Sequence, residues 1–209
     1  MQNINGSITF LGDTHGRHEG IRSLCQQTKG TVFHVGDMGI GFRDNPEILN
    51  SVPNLVAIHG NHDSPERCKL YNCYLGRFGV LSWNDEPLFY CSGAWSIDHA
   101  YRTPGVDWWA DEELSEEEMA EAEDLYRTTK PKYVVTHDCP ECLWPDMIKQ
   151  VKMLFGDEKI PTRTGKFLDR LLAIHQPIGW LYGHYHGSCH IIKNGTYFRC
   201  LNVGETLTL

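Results

Sequence analysis

Short apolar runs recur along this chain, and each stops at a glycine or a polar residue. Ser7–Leu11 leads into Gly12-Asp13, Thr31–Val35 into Gly36-Asp37, and Leu55–His59 into Gly60-Asn61. Lys132–Thr136 leads to His137-Asp138, and Gly179–Tyr182 to Gly183-His184. Their length and their content of Val, Ile, Phe and Tyr predict buried strands. The stretches between the first three are long enough for crossover helices, which predicts βαβ units. Two later pieces read as antiparallel. Val80–Trp83 and Leu88–Cys91 flank Asn84-Asp85-Glu86-Pro87, and His190–Lys193 meets Thr196–Leu201 across Asn194-Gly195, a strong hairpin signal. Ser115-Glu116-Glu117-Glu118 is a capping box opening a helix whose apolar stripe includes Leu114, Met119, Ala122 and Leu125. A second helix is expected from about Gly165 to His175, ended by Pro177. With no repeat, no low-complexity linker and no break in composition, residues 1–209 read as a single α/β domain.

Composition narrows the choice of function. The net charge of −8 argues against nonspecific binding of duplex DNA, which needs a surplus of Lys and Arg. It leaves anionic substrates open, because a local cation reverses the field that net charge suggests. No apolar run approaches the roughly 20 residues of a membrane span, and the N-terminus does not read as a secretory signal. The eight cysteines are therefore expected to be mostly reduced thiols in a cytoplasm rather than a disulfide framework. Cys139-Pro140-Glu141-Cys142 is half of a zinc-ribbon spacing with no second half, so packing is the default for that pair. The 27 acids are concentrated in part on the Asp111–Asp124 segment, which reads as a solvated helix face.

The strand ends carry the chemistry. Residues just past strand ends in a largely parallel sheet converge on one edge, where α/β ligand sites lie. That edge would gather Asp13, His15, Asp37, Asn61, His62, His137, His184 and His186. Such a cluster is costly to bury without a cation; with one, it is a ligand shell. Imidazole and carboxylate without thiolate suit Mn, Fe, Zn or Ni better than Ca or Mg. The donors exceed what one ion needs. Two divalent ions bridged by a shared carboxylate fit the count and form a known clamp for displacement at phosphorus. Two ions at +4 against two ionised Asp at −2 leave a positive remainder that attracts hydroxide and phosphate.

The ordered series Gly12-Asp13-Thr14-His15-Gly16, Gly36-Asp37, Gly60-Asn61-His62-Asp63, His137 and Gly183-His184-Tyr185-His186 resembles the calcineurin-like metallophosphoesterase superfamily, and the Ser92–Asp98 segment with Tyr101-Arg102 and Trp108-Trp109 resembles its small bacterial and phage members. The resemblance spans residues 12 to 186. It implies a four-layer α/β/β/α sandwich with a dinuclear centre at its strand ends, manganese foremost among the metals. By this resemblance one ion takes Asp13, His15 and His186, the other takes Asn61, His137 and His184, and Asp37 bridges both. His62 stands outside as the acid or the phosphate-contacting group. The implied activity is hydrolysis of small phosphate esters, nucleotides among them, by a metal-bridging hydroxide. The implied compartment is the cytoplasm of a bacterium, or of the host for a phage-encoded chain. The alternatives are a phosphoprotein or phosphomonoester phosphatase, and a binding module that holds a phosphorylated ligand without turning it over.

The chain departs from the Ser/Thr protein phosphatases of that superfamily, which place Asp and Arg where Ile40 and Gly41 stand and Arg where His59 stands. Those arginines grip phosphate bidentately, so their absence favours a phosphodiesterase. The segment Ser92-Gly93-Ala94-Trp95-Ser96-Ile97-Asp98 with Tyr101-Arg102 makes Arg102 the expected substrate contact, with Asp98 one turn away as its orienter. Trp95, Trp108 and Trp109 could stack a base, though core packing is the stronger expectation. His34 and His59 alternate with apolar neighbours and read as packed or hydrogen-bonded. His18, His99, His175 and His190 match no ligand position. Asp63 reads as a turn acid or an orienter of a neighbour. Gly165-Lys166 lacks the rest of a Walker-type loop.

Overall fold

The computed structural model describes residues 2–151 and 160–209. Its strands form two sheets. The larger holds β1 (Asn3–Ile4), β5 (Phe78–Trp83), β6 (Glu86–Cys91), β7 (Tyr133–Thr136), β8 (Gly179–Tyr182), β9 (Cys189–Lys193) and β10 (Thr196–Cys200), in the order β1-β5-β6-β7-β8-β10-β9. The smaller holds β2 (Ile8–Leu11), β3 (Thr31–His34), β4 (Leu55–Ala57) and β11 (Thr206–Thr208), in the order β11-β2-β3-β4. β2, β3 and β4 run parallel to one another, as do β6, β7 and β8.

Period-two alternation sorts the side chains into layers. Phe10, Phe33, Val35, Val56 and Ile58 from the small sheet meet Leu81, Leu88, Tyr90, Val135 and Leu181 from the large one in a core between the sheets. The intervening residues point outward. Leu11, Val32, Leu55 and Ala57 pack under α1 (His18–Gln27), α2 (Pro46–Leu49) and α3 (Pro65–Cys68). Phe89, Val134, Trp180 and Phe198 pack under α4 (Glu116–Thr129), α5 (Trp144–Met147) and α6 (Arg163–Ile174). The result is the expected four-layer α/β/β/α sandwich.

The expected helices form. Ser115 and Glu118 exchange both bonds of the capping box at the head of α4, and α6 begins at Arg163 because Thr162 caps it. One turn is tighter than expected. Asn84 and Asp85 adopt left-handed backbone, φ 49° and 64°, so two residues close the β5–β6 hairpin and Glu86-Pro87 join the strand. None of the eight cysteines forms a disulfide, and seven of them are buried; Cys139 packs in the core under α4 and α6. Among the described residues no helix is long and apolar enough to cross a membrane.

Candidate metal centre

The polar strand ends do converge, but on two sheets rather than one. Asp13 and His15 follow β2, Asp37 follows β3 and Asn61 and His62 follow β4, all in the small sheet. His137 follows β7, and His184 and His186 follow β8, in the large sheet. The expectation of a single sheet edge is corrected accordingly. Apolar patterning marks where strands end, and does not say which sheet a strand joins. Facing sheets bring the two sets together across the top of the inter-sheet core.

Four of these residues sit in left-handed backbone: His15 at φ 46°, Asp37 at 61°, His184 at 68° and His186 at 50°. Non-glycine residues adopt this region rarely and at a cost, and such strain gathers at functional sites. Close approach is enforced at Gly60, where a Cβ would strike the Asp37 carboxylate and the His137 ring.

Ligand atoms of Asp13, His15, Asp37 and His186 all lie within 4.8 Å of one another. His15 Nε2 stands 2.9 Å from His186 Nε2, and His186 Nε2 stands 3.2 Å from Asp13 Oδ2. Beside this group, Asn61 Oδ1 lies 2.9 Å from His184 Nδ1 and 3.2 Å from His137 Nε2. His137 Nε2 is in turn 3.3 Å from Asp37 Oδ1. Asp37 thus borders both groups.

The donors fit divalent cations on two counts. Asp13 Oδ2 and Asp37 Oδ2 are buried with no well-aligned hydrogen-bond partner, an expensive state unless a cation takes their lone pairs. The protein's own charges also show where positive charge is wanted. Burial would raise the carboxyl pKa of Asp37, yet the charges of His137 and His62 outweigh it and hold it well below the ordinary range. Asp13 is lowered in the same way, its burial outweighed by His186 and His137. Burial would lower His137, but Asp37 and Asp13 raise it to about 10. A proton held there stands in for cation charge, and a ligating imidazole gives up that proton.

Around the cluster, backbone and hydroxyl contacts fix the loops. Asp63, which is fully buried, accepts from the amides of Met38, Gly39, Ile40 and Gly60 and so ties the Asp37 loop to the Asn61 loop. It is an organiser. Asp138 accepts Tyr185 O–H at 2.5 Å, linking the segment after His137 to the one bearing His184 and His186. Sequence reasoning passed over Asp138, although the His137-Asp138 and His184-Tyr185-His186 pairings carried the signal. It also passed over Glu112, which is buried and bonded to Ser96. His34 bonds Thr14 Oγ1 at 3.0 Å and His59 bonds Tyr74 O–H at 2.7 Å; both are fully buried, as their alternation suggested.

Arg102 is not a surface residue. Its side chain is 8% exposed and pairs with Asp98 Oδ1 at 2.7 Å. Its two terminal nitrogens face the two ring nitrogens of His62 at 3.1 and 2.7 Å. Burial first, and then the Arg102 charge, push His62 down to about 4 against the pull of Asp37. With nothing bound beside it, His62 therefore favours the neutral imidazole. His62 Nε2 is 4.0 Å from Asp37 Oδ2. Trp95, His99 and Trp108 pack on one another, with ring centroids 5.1 and 6.0 Å apart, and Trp109 covers Gly41.

The model of one family, described as calcineurin-like phosphoesterase, matches residues 6–188. No curated protein matches the chain in sequence. Among solved structures, the chain is similar to a hypothetical protein from Thermus thermophilus, at 16% identity and a TM-score of 0.50, covering 95% of this chain and 76% of that one. It is also similar to GAP50, described as the anchor in the inner membrane complex of Plasmodium, at 10% identity and a TM-score of 0.51, covering 96% and 76%. These likenesses concern the fold.

Proposed function

This chain belongs to the calcineurin-like phosphoesterases, and from that premise we propose that it hydrolyses small phosphodiesters of nucleotide type at a centre of two divalent transition-metal ions. The observation that carries the reading is the pair of buried carboxylate oxygens without a well-aligned hydrogen-bond donor, Asp13 Oδ2 and Asp37 Oδ2, set among imidazoles. Asp13, His15 and His186 would hold one ion, and Asn61, His137 and His184 the other, with Asp37 shared. When bound, the ions supply Lewis-acid stabilisation of the phosphate's charge and a water acidic enough to attack at neutral pH. Manganese is the favoured metal by family resemblance.

The remaining work falls to the chain's own side chains. Arg102, braced by Asp98, offers its guanidinium fork to the phosphate oxygens. An anionic phosphate beside His62 favours the charged imidazole, which then gives its proton to the departing alkoxide. The oxygen–phosphorus bond from water forms, the ester bond breaks, the His62 proton ends on the leaving oxygen, and the proton the attacking water gives up passes to solvent, from which His62 is recharged.

The diester preference is supported by what stands at the departed arginine positions. Gly41 has no side chain and His59 is fully buried, and neither presents a cation to phosphate. The whole chain would act as one domain, and its eight cysteines, none in a disulfide, suit a reducing compartment such as a bacterial cytoplasm. Turnover of bis(p-nitrophenyl) phosphate, nucleotide diesters and a phosphoserine peptide by the Mn²⁺-loaded protein tests the reading. A larger kcat/KM for the diesters is expected. The reverse order would make it a phosphatase, and binding without turnover would make it a module that only captures phosphate.

A further inference from the structure

Glu112 is 3% exposed, and burial raises its carboxyl pKa above the ordinary value. A carboxylate in that position is costly to bury, so its hydrogen bonds carry unusual weight. It accepts the Ser96 amide N–H at 2.7 Å on Oε1 and the Ser96 hydroxyl at 2.6 Å on Oε2. Ser96 is itself fully buried, and its Oγ receives Asn61 Nδ2–H at 3.0 Å. The far side of the same amide, Asn61 Oδ1, faces His184 Nδ1 and His137 Nε2. The loop bearing Glu112 is pressed against Gly93, where φ is +89° and an added Cβ would collide with the Glu112 carbonyl. Only glycine permits both the conformation and the approach.

We propose that Glu112, acting through Ser96, is a positioning residue that decides which end of the Asn61 amide meets the metal. A serine hydroxyl has one proton. The carboxylate accepts only, so it commits that proton and leaves Oγ to accept. The Asn61 NH₂ must then point at Ser96, and its oxygen, the end with lone pairs, must point at the ions. Without the carboxylate, the hydroxyl is free to donate to Asn61 Oδ1. The flipped amide would then present an NH₂, which cannot ligate. Outer contacts of this kind are worth about 10–100-fold in metal affinity.

The inference rests on the reading of Asn61 as a ligand, and its test separates the two. Mn²⁺ binding to the full chain is titrated for wild type, Ser96→Ala, Glu112→Gln, Asn61→Ala and the Asn61→Ala/Ser96→Ala pair, with thermal melting alongside. Gln is informative because it replaces one acceptor with an NH₂. Both Ser96→Ala and Glu112→Gln should weaken one ion of the two by about 10–100-fold and leave the other unchanged. In the Asn61→Ala background, Ser96→Ala should cost nothing further, because the amide it acts through is gone. The proposal is overturned if Ser96→Ala and Glu112→Gln lower the melting temperature while both ions bind as in wild type. An equal loss from Ser96→Ala with and without the Asn61 amide would overturn it as well. Wild-type protein that binds no second Mn²⁺ would instead defeat the ligand reading itself.

Discussion

Replacing Gly60 with Ala puts a methyl group where the centre has no room. The new Cβ would lie 2.5 Å from His137 Nε2, 2.7 Å from the Asp37 amide nitrogen, and closer still to Asp37 Oδ1. Ordinary contact begins near 3.4 Å, so the His137 ring or the loop must recede by about 1 Å. Neither neighbour swings away freely. Asp37 Oδ1 accepts His62 N–H at 2.8 Å, and His137 Nδ1 donates to the Val35 carbonyl at 2.9 Å. Coordination tolerates errors of about 0.2 Å, and a misplacement near 1 Å costs on the order of 100-fold in rate. Overpacking strain adds roughly 1–3 kcal/mol, which lowers the melting temperature by several degrees and leaves the protein folded. The expected result is therefore a folded Gly60→Ala protein with fewer than two ions and a kcat/KM down by about 100-fold or more. Gly20→Ala in α1 is the control, since its Cβ meets nothing within 4 Å. That variant should keep both ions and gain up to about 1 kcal/mol from helix propensity. Gly60→Ala protein holding two ions at wild-type rate would refute the claim that the two sheets are packed this closely around the site.

Arg102→Ala should keep both ions and lose at least tenfold in kcat/KM, because the group it removes is buried and aimed at His62 rather than solvated; a change within twofold would take Arg102 out of the site. His62→Ala should retain much of its rate on a p-nitrophenyl ester, whose leaving group departs unprotonated. On a nucleotide ester it should lose about 10²–10⁴-fold, and equal losses on both substrates would assign His62 to positioning alone. Exhaustive chelation should abolish turnover, with Mn²⁺ restoring it; full activity after metal removal would rule out metal-dependent chemistry.

Much of this site was legible because strand ends are legible. The alternation that makes β2, β3, β4, β7 and β8 also says where each stops, and the next polar residue is the one the fold gathers. What could not be read was pairing across the chain. Nothing in the periodicity of Val134 or Phe33 assigns one to the large sheet and the other to the small one, and β1 and β11 are too short to announce themselves. The Asn61–Ser96–Glu112 relay joins residues 35 and 16 positions apart, with no spacing rule to connect them. The backbone strain at His15, Asp37, His184 and His186 was equally hidden. Left-handed conformation is expected of glycine, and the sequence places these four beside glycines rather than marking them. The Arg102–His62 contact was hidden for a different reason: the two residues lie 40 positions apart in the chain.

The account turns on Asp37 serving two ions at once. Mn²⁺ content measured after loading and removal of excess metal should be two per wild-type chain. Asp37→Asn should hold one or none and lose nearly all turnover, since Asn offers one neutral oxygen where the carboxylate offers two charged ones. An Asp37→Asn protein with two tightly held ions and a near-normal rate would contradict the shared-carboxylate centre.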